Sequence, residues 1–206
     1  YLENQSINQF ITITFPIQDC TDNAAVNFNA EANGDDGSCQ YISAVTSGNI
    51  VNDGGNSAGA SFSDYNNDGF IDLFIANSGD NFLYENNGDG SFTKITSGDI
   101  VGDGGYSVGS SFSDYNNDGY IDLFVANDGE VNFLYENNGD GSFTKIITGN
   151  IVNDGGSSFG SSWTDYNNDG FIDLFVANDG YSFLYQNNGD GSFTKITSGD
   201  IVNDAG

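Results

Sequence analysis

The stretch Phe62-Ser63-Asp64-Tyr65-Asn66-Asn67-Asp68-Gly69-Phe70-Ile71-Asp72-Leu73-Phe74 decides the architecture, because it recurs. It returns from Phe112 to Phe124 and again from Trp163 to Phe175, and its leading aspartates Asp64, Asp114 and Asp165 fall 50 and 51 residues apart. A fixed period of this length marks a tandem-repeat fold whose units bury their apolar faces against one another. The additional residue of the longer spacing falls after the apolar run, where Ser78-Gly79-Asp80-Asn81 becomes Asp128-Gly129-Glu130-Val131-Asn132, and is expected in a loop.

Each period reads as four short β segments. In the first they are 60–63, the apolar run 70–76, residues 82–84 and residues 92–96. Asn86-Asn87-Gly88-Asp89-Gly90 between the last two is a hairpin turn, since Asn, Asp and Gly tolerate positive φ. Ile71 to Ile75 is apolar on both faces except for Asp72, which suits a strand covered on both sides. Helical periodicity is absent. Gly-rich linkers follow each unit, beginning at Ser47, Ser97, Thr148 and Ser198, so three loops are framed by four linkers.

The loop inside the repeat has the form Asp-x-Asn-x-Asp-Gly-x-x-Asp. Calcium takes about six to eight oxygen ligands, and alternate residues of a tightly curled loop supply them. Side-chain oxygens are expected from Asp64, Asn66, Asp68 and Asp72, with the backbone carbonyl of Phe70 and a sharp turn at Gly69. The second loop offers Asp114, Asn116, Asp118, Tyr120 and Asp122, and the third Asp165, Asn167, Asp169, Phe171 and Asp173. Three carboxylates and an amide suit a hard cation; magnesium's stricter octahedral geometry makes it the second choice. The expectation is about three calcium ions per chain. An acidic turn without metal is the alternative, but three like charges in one loop then repel one another.

Composition points the same way. Thirty acidic side chains stand against three basic ones, for a formal net charge of −27. Such a surface repels nucleic acid and anionic membranes, and it resists compaction unless cations neutralise it. An aromatic content of 14% separates the chain from solvated acidic tails. The chain has no histidine, which removes the usual general base and the commonest zinc ligand. No apolar run is long enough to span a bilayer as a helix. No signal peptide is visible, and the start at Tyr1 suggests a processed protein or a fragment.

The stretch from Phe159-Gly160-Ser161-Ser162-Trp163 through Asp173-Leu174-Phe175-Val176-Ala177-Asn178, with Phe183-Leu184-Tyr185-Gln186-Asn187-Asn188-Gly189-Asp190-Gly191 after it, resembles the FG-GAP/VCBS repeat family. The resemblance covers residues 41–206. It implies an all-β fold of tandem four-stranded β-propeller-type blades, in which the loop between the first two strands binds calcium. It implies no shared activity. Propellers usually close with four to eight blades, and three are present. The chain is therefore expected to belong to a longer array, to assemble with further chains, or to stack as an open solenoid.

Residues 1–18 form an N-terminal extension whose stretch 7–17 alternates, with Ile11, Ile13, Phe15 and Ile17 on one face. Such a strand either closes its own domain's edge or pairs with the exposed edge of a neighbouring subunit. Residues 19–40 resemble a short two-cysteine module of bacterial secreted and surface proteins. That resemblance implies a Cys20–Cys39 disulfide, worth about 3 kcal/mol, and an oxidising, extracellular location; a pair of buried free thiols is the alternative.

The function expected is a non-catalytic extracellular structural or adhesion protein, with calcium bracing repeats that self-associate through strand edges into a homo-oligomer or filament. The second reading is a lectin-like propeller that uses exposed aromatics such as Tyr65, Tyr106 and Tyr115 for glycans, although their recurrence inside or beside the loops favours a packing or rim role for them. An enzyme with paired carboxylates ranks last, because the aspartates are already claimed as ligands. No nucleic-acid partner and no membrane insertion are expected.

Overall fold

A computed structural model describes residues 18–19, 21, 29–32, 34–35, 37 and 48–203 of the chain. The chain divides into two compact units, residues 1–46 and 47–206. In the first, β1 (Gln18–Asp19) pairs in parallel with β2 (Gly34–Asp35). The alternating stretch 7–17, Cys20 and Cys39 lie outside the described residues.

The second unit holds the repeats. The first comprises α1 (Asn49–Asn52), β3 (Asn56–Ser63), β4 (Asp72–Ser78), β5 (Phe82–Asn86) and β6 (Phe92–Ile95). The second comprises α2 (Asp99–Gly102), β7 (Ser107–Ser113), β8 (Asp122–Val131), β9 (Phe133–Asn137) and β10 (Phe143–Ile146). The third comprises α3 (Asn150–Asn153), β11 (Gly155–Thr164), β12 (Asp173–Asn178), β13 (Phe183–Asn187) and β14 (Phe193–Ile196), and α4 (Asp200–Asn203) follows. Each set of four strands is an antiparallel meander, so the described fold is nearly all-β and built of three four-stranded blades.

Several details differ from the sequence reading. The first strand begins at Asn56 and not at residue 60. The second strand starts at Asp72 and not at Phe70, because the Phe70 N–H is held by Asp68 inside the loop. The additional residue of the second repeat lies within β8, not in a loop. It extends that strand so that Val131, Glu130 and Asp128 pair with Gly155, Gly156 and Ser157 of the next blade. Finally, the linkers contain one-turn helices. Their Ile-Val pairs are buried in α2 (Ile100, Val101) and α3 (Ile151, Val152), a signal too short for a periodicity to register.

The core lies between blades. Cross-strand partners share a face of the sheet. One face of the first blade therefore carries Phe62, Leu73 and Tyr84, and the other carries Phe74 and Leu83. We call these the leading and trailing faces. Trailing residues Phe74, Ala76 and Leu83 pack with leading residues Leu123, Val125 and Tyr135 of the second blade, and Ile100 fills the seam. The same seam recurs one blade on, with Phe124, Ala126 and Leu134 against Leu174, Val176 and Tyr185, closed by Ile151. Along the inner strands the backbones nearly touch. A Cβ on Gly59 would lie 2.5 Å from the Val108 carbonyl oxygen, and one on Gly109 would lie 2.5 Å from that of Phe159.

All three lysines do one job. Lys94, Lys145 and Lys195 pair with Asp53, Asp103 and Asp154 at 2.8, 2.8 and 3.0 Å. Each ammonium also lies over a phenylalanine ring, of Phe82, Phe133 and Phe183. Each of these aspartates also accepts a phenol, from Tyr84, Tyr135 and Tyr185 respectively. Linker and outer strands are thereby tied together in every repeat.

Candidate metal centres

Each candidate loop connects the first two strands of its blade, from Asp64 to Asp72, Asp114 to Asp122 and Asp165 to Asp173. It curls because two positive-φ positions stand with a single residue between them. Asn67, Asn117 and Asn168 sit at φ 58°, 58° and 60°, and Gly69, Gly119 and Gly170 at 91°, 91° and 90°. Asn is among the few non-glycine residues that adopt this region readily.

The carboxylates pin the curl. Asp64 accepts the Asp68 and Gly69 N–H groups at 3.0 and 2.9 Å. Asp68 accepts that of Phe70 at 2.8 Å and the Asn66 amide at 3.1 Å. Asp114 and Asp118, with Asn116 and Tyr120, repeat this pattern, as do Asp165 and Asp169 with Asn167 and Phe171. The structure therefore brings the predicted ligands of each loop into one turn. Among the described residues, however, no three carboxylates converge into a ready-made ligand cluster. They face backbone donors instead.

The last aspartate of each loop is different in kind. Asp72, Asp122 and Asp173 are buried, and both oxygens of each take backbone N–H groups. Asp122 accepts from Tyr115 at 3.1 Å and from Asn137 at 2.8 Å, so it clamps the loop to the β9–β10 hairpin. Asp72 does the same with Tyr65 and Asn86, and Asp173 with Tyr166 and Asn187. Burial pushes Asp72 up to about 6 and Asp122 up to about 7; the neighbouring loop aspartates add to the rise, and the two N–H groups oppose it. Asp173 is raised for the same first reason.

This donor set fits a hard cation. It consists of oxygens only, it includes a buried carboxylate repelled by its neighbours, and the lysines are engaged elsewhere. Bound calcium would take Asp64, Asn66, Asp68, Phe70 and Asp72 and their counterparts, and would supply the positive charge that these carboxylates lack.

Sequence reasoning missed two partners of the loops. The ring of Phe70 lies over Gly88, that of Tyr120 over Gly139 and that of Phe171 over Gly189, positions where a Cβ would collide with the ring. The other partner is an asparagine. Asn137 Nδ2 donates to Ile121 and to Tyr65 of the preceding blade, and Asn187 likewise reaches Ile172 and Tyr115. The invariant place of Asn in the repeated Phe-Leu-Tyr-x-Asn was the available signal. Of the tyrosines considered as exposed aromatics, Tyr65 and Tyr115 are buried between blades and Tyr106 is exposed.

Residues 64–125, 114–176 and 165–206 each match the model of the FG-GAP-like repeat. The chain belongs to the FG-GAP-like repeat family. Each match to this FG-GAP chain begins at the first aspartate of a loop, and the first two run through the loop of the next blade, so the family unit straddles the seam described above. No curated protein matches the chain. Among solved structures, a lectin of Agrocybe aegerita described as recognising non-reducing terminal N-acetylglucosamine is 20% identical over 71% of this chain and 39% of its own, with a TM-score of 0.49. A Photorhabdus luminescens Tc holotoxin pore is 18% identical over 69% of this chain and 7% of its own, with a TM-score of 0.39. This chain thus spans less than half of either, and neither similarity carries an argument here.

Proposed function

We propose that this chain is a non-catalytic, calcium-braced structural or adhesion module of the extracellular space, with three ions per chain, which associates with further copies of itself. The observation that carries the calcium reading is the threefold recurrence of one oxygen-only loop whose last carboxylate is buried without a cation beside it. FG-GAP repeats occur in extracellular proteins and typically serve as structural modules, which supports the location and the lack of catalysis. No helix among the described residues is long and apolar enough to cross a membrane. A Cys20–Cys39 disulfide belongs to the same reading, and so does strand addition by residues 1–17. Mass spectrometry with and without reduction tests the first, and deletion of residues 1–17 tests the second.

The main test is thermal melting in calcium and in excess chelator. Extracellular calcium modules bind at about 10⁻⁴–10⁻³ M, so about 10 mM calcium stabilises by about 1.4–2.7 kcal/mol per site. Titration calorimetry is expected to count three sites. A melting curve that chelator leaves unchanged removes calcium from the proposal.

Carbohydrate recognition is a second reading, supported by one specific feature. A cleft of about 750 Å³ opens between the second and third blades, lined among others by Asn116, Asp118, Glu136, Asp190 and Phe193. Binding to a glycan array that is lost on substituting Glu136 would favour it.

A further inference from the structure

Each blade carries one Asn-Gly step at the tip of its outer hairpin: Asn87-Gly88, Asn138-Gly139 and Asn188-Gly189. We propose that these steps are modification sites for deamidation, held unreactive by the side chains of their own turns and released when a hairpin opens.

The reaction needs no reagent but water, and glycine after asparagine favours it because no side chain shields the attacking nitrogen. The Gly88 nitrogen gives its proton to solvent and bonds to Asn87 Cγ; the Cγ–Nδ2 bond breaks and ammonia leaves. Water then opens the cyclic imide at either carbonyl and leaves aspartate or isoaspartate. Attack therefore has two requirements. The Asn87 side chain must be free to swing back onto its own backbone, and the Gly88 N–H must be free to lose its proton.

Burial gives no protection, because all of these Asn and Gly residues are exposed. Hydrogen bonds deny both requirements instead. Asn87 Nδ2 donates to Ser91 Oγ at 2.8 Å, and Asn87 Oδ1 accepts the Thr93 hydroxyl at 2.9 Å, so both ends of the amide are tied to the returning arm of the hairpin. The Gly88 N–H donates to Asn86 Oδ1 at 3.0 Å, which places an oxygen on the line along which the nitrogen would attack. The other two turns repeat the lock. Asn138 is tied to Ser142 and Thr144 at 2.9 Å each, with the Gly139 N–H on Asn137. Asn188 is tied to Ser192 and Thr194 at 2.9 and 3.0 Å, with the Gly189 N–H on Asn187.

Release has a structural consequence. Isoaspartate in place of Asn87 adds one backbone atom to a turn that the Phe70 ring covers so closely that Gly88 has no room for a Cβ. The lengthened turn would displace Phe70, whose N–H is held by Asp68 inside the candidate metal loop. Chemical damage at a hairpin tip thus reaches the loop of the same blade.

Peptide mass spectrometry after incubation in warm, mildly alkaline buffer measures conversion at each step separately. All three are expected to react about tenfold or more slowly in the folded chain than in denaturant. Thr93→Val removes one donor at an exposed strand position that valine suits. It is expected to speed Asn87 about fivefold, the weight of one ordinary hydrogen bond, while Asn138 and Asn188 keep the parent rate. Ser142→Ala is the second variant and is expected to speed Asn138 alone; a melting curve checks that each variant keeps its fold. Equal rates in folded and unfolded chain overturn the proposal. A slow folded chain in which neither variant changes its own turn overturns the side-chain lock in favour of backbone stiffness. Variants in which all three turns speed up together overturn it in favour of global unfolding.

Discussion

Asp122→Ala separates two jobs that the loop pattern assigns to one residue. Read from the spacing, Asp122 is a ligand, and in excess chelator its loss should then cost nothing. The structure gives it a second task that needs no metal. Its oxygens take the buried N–H groups of Tyr115 and Asn137, at 3.1 and 2.8 Å, and no water can replace it at a fully buried site. Removing a charged acceptor from a buried donor costs about 1.5–3 kcal/mol per bond. Relief of the repulsion from Asp118 and Asp114, and of the carboxylate's own burial, offsets part of this. A net loss of about 2–4 kcal/mol is expected, or about 4–16 °C in melting temperature for a unit of this size. The assay is a circular-dichroism melt in excess chelator at neutral pH. Asp118→Ala is the control: its carboxylate is exposed, water replaces it at the N–H groups, and the shift should correspond to less than about 1 kcal/mol. A melting point for Asp122→Ala within about 2 °C of the parent, or an equal shift for the control, refutes the clamp.

Burial, and then the hydrogen bond to a linker aspartate, raises the phenols of Tyr84, Tyr135 and Tyr185 above the usual tyrosine range. Because the folded value exceeds the unfolded one of about 10, their contribution to stability is intact below pH 10 and is lost as pH climbs above it. Spectrophotometric titration is expected to show these three ionising only together with loss of the β signal; smooth ionisation of all tyrosines in folded protein contradicts this. Gly139→Ala places a methyl against the Tyr120 ring at φ 74°, whereas Gly141→Ala at φ 85° meets open space. The second should cost about 1 kcal/mol of backbone strain and the first clearly more, about 2–3 kcal/mol, as compared by melting temperature.

The repeat itself was legible because it is encoded in identity. Loop, apolar strand and hairpin recur with hardly a change, and the strands formed where β-rich runs met Asn-Gly turns. What escaped the sequence was relational. Asp53, Asp103 and Asp154 look like linker residues, and only their approach to Lys94, Lys145 and Lys195 gives them a role. Glu130 and Val131 read as a loop insertion because nothing local says that β11 lies alongside. The candidate ligands were legible by residue. Their division into exposed loop carboxylates and a buried clamp was not, since burial is decided by the next hairpin and not by spacing.

The residue that joins loop to stack is not a ligand at all. Tyr115 follows the first aspartate of its loop, and each part of it answers to a different partner. Its N–H is held by Asp122, its carbonyl accepts Asn187 of the next blade at 2.7 Å, and its ring stacks on Trp163 with centroids 6.2 Å apart. Tyr65 repeats the N–H and carbonyl contacts one blade earlier with Asp72 and Asn137, and its ring meets Phe143. Under the proposed calcium reading, a cation that held Asp122 would also hold the backbone that the next blade grips, without reaching the seam. In a repeat array whose stability is a sum of unit and nearest-neighbour terms, each loop of this nine-residue pattern then acts on both, through the Tyr115 backbone and with or without a metal.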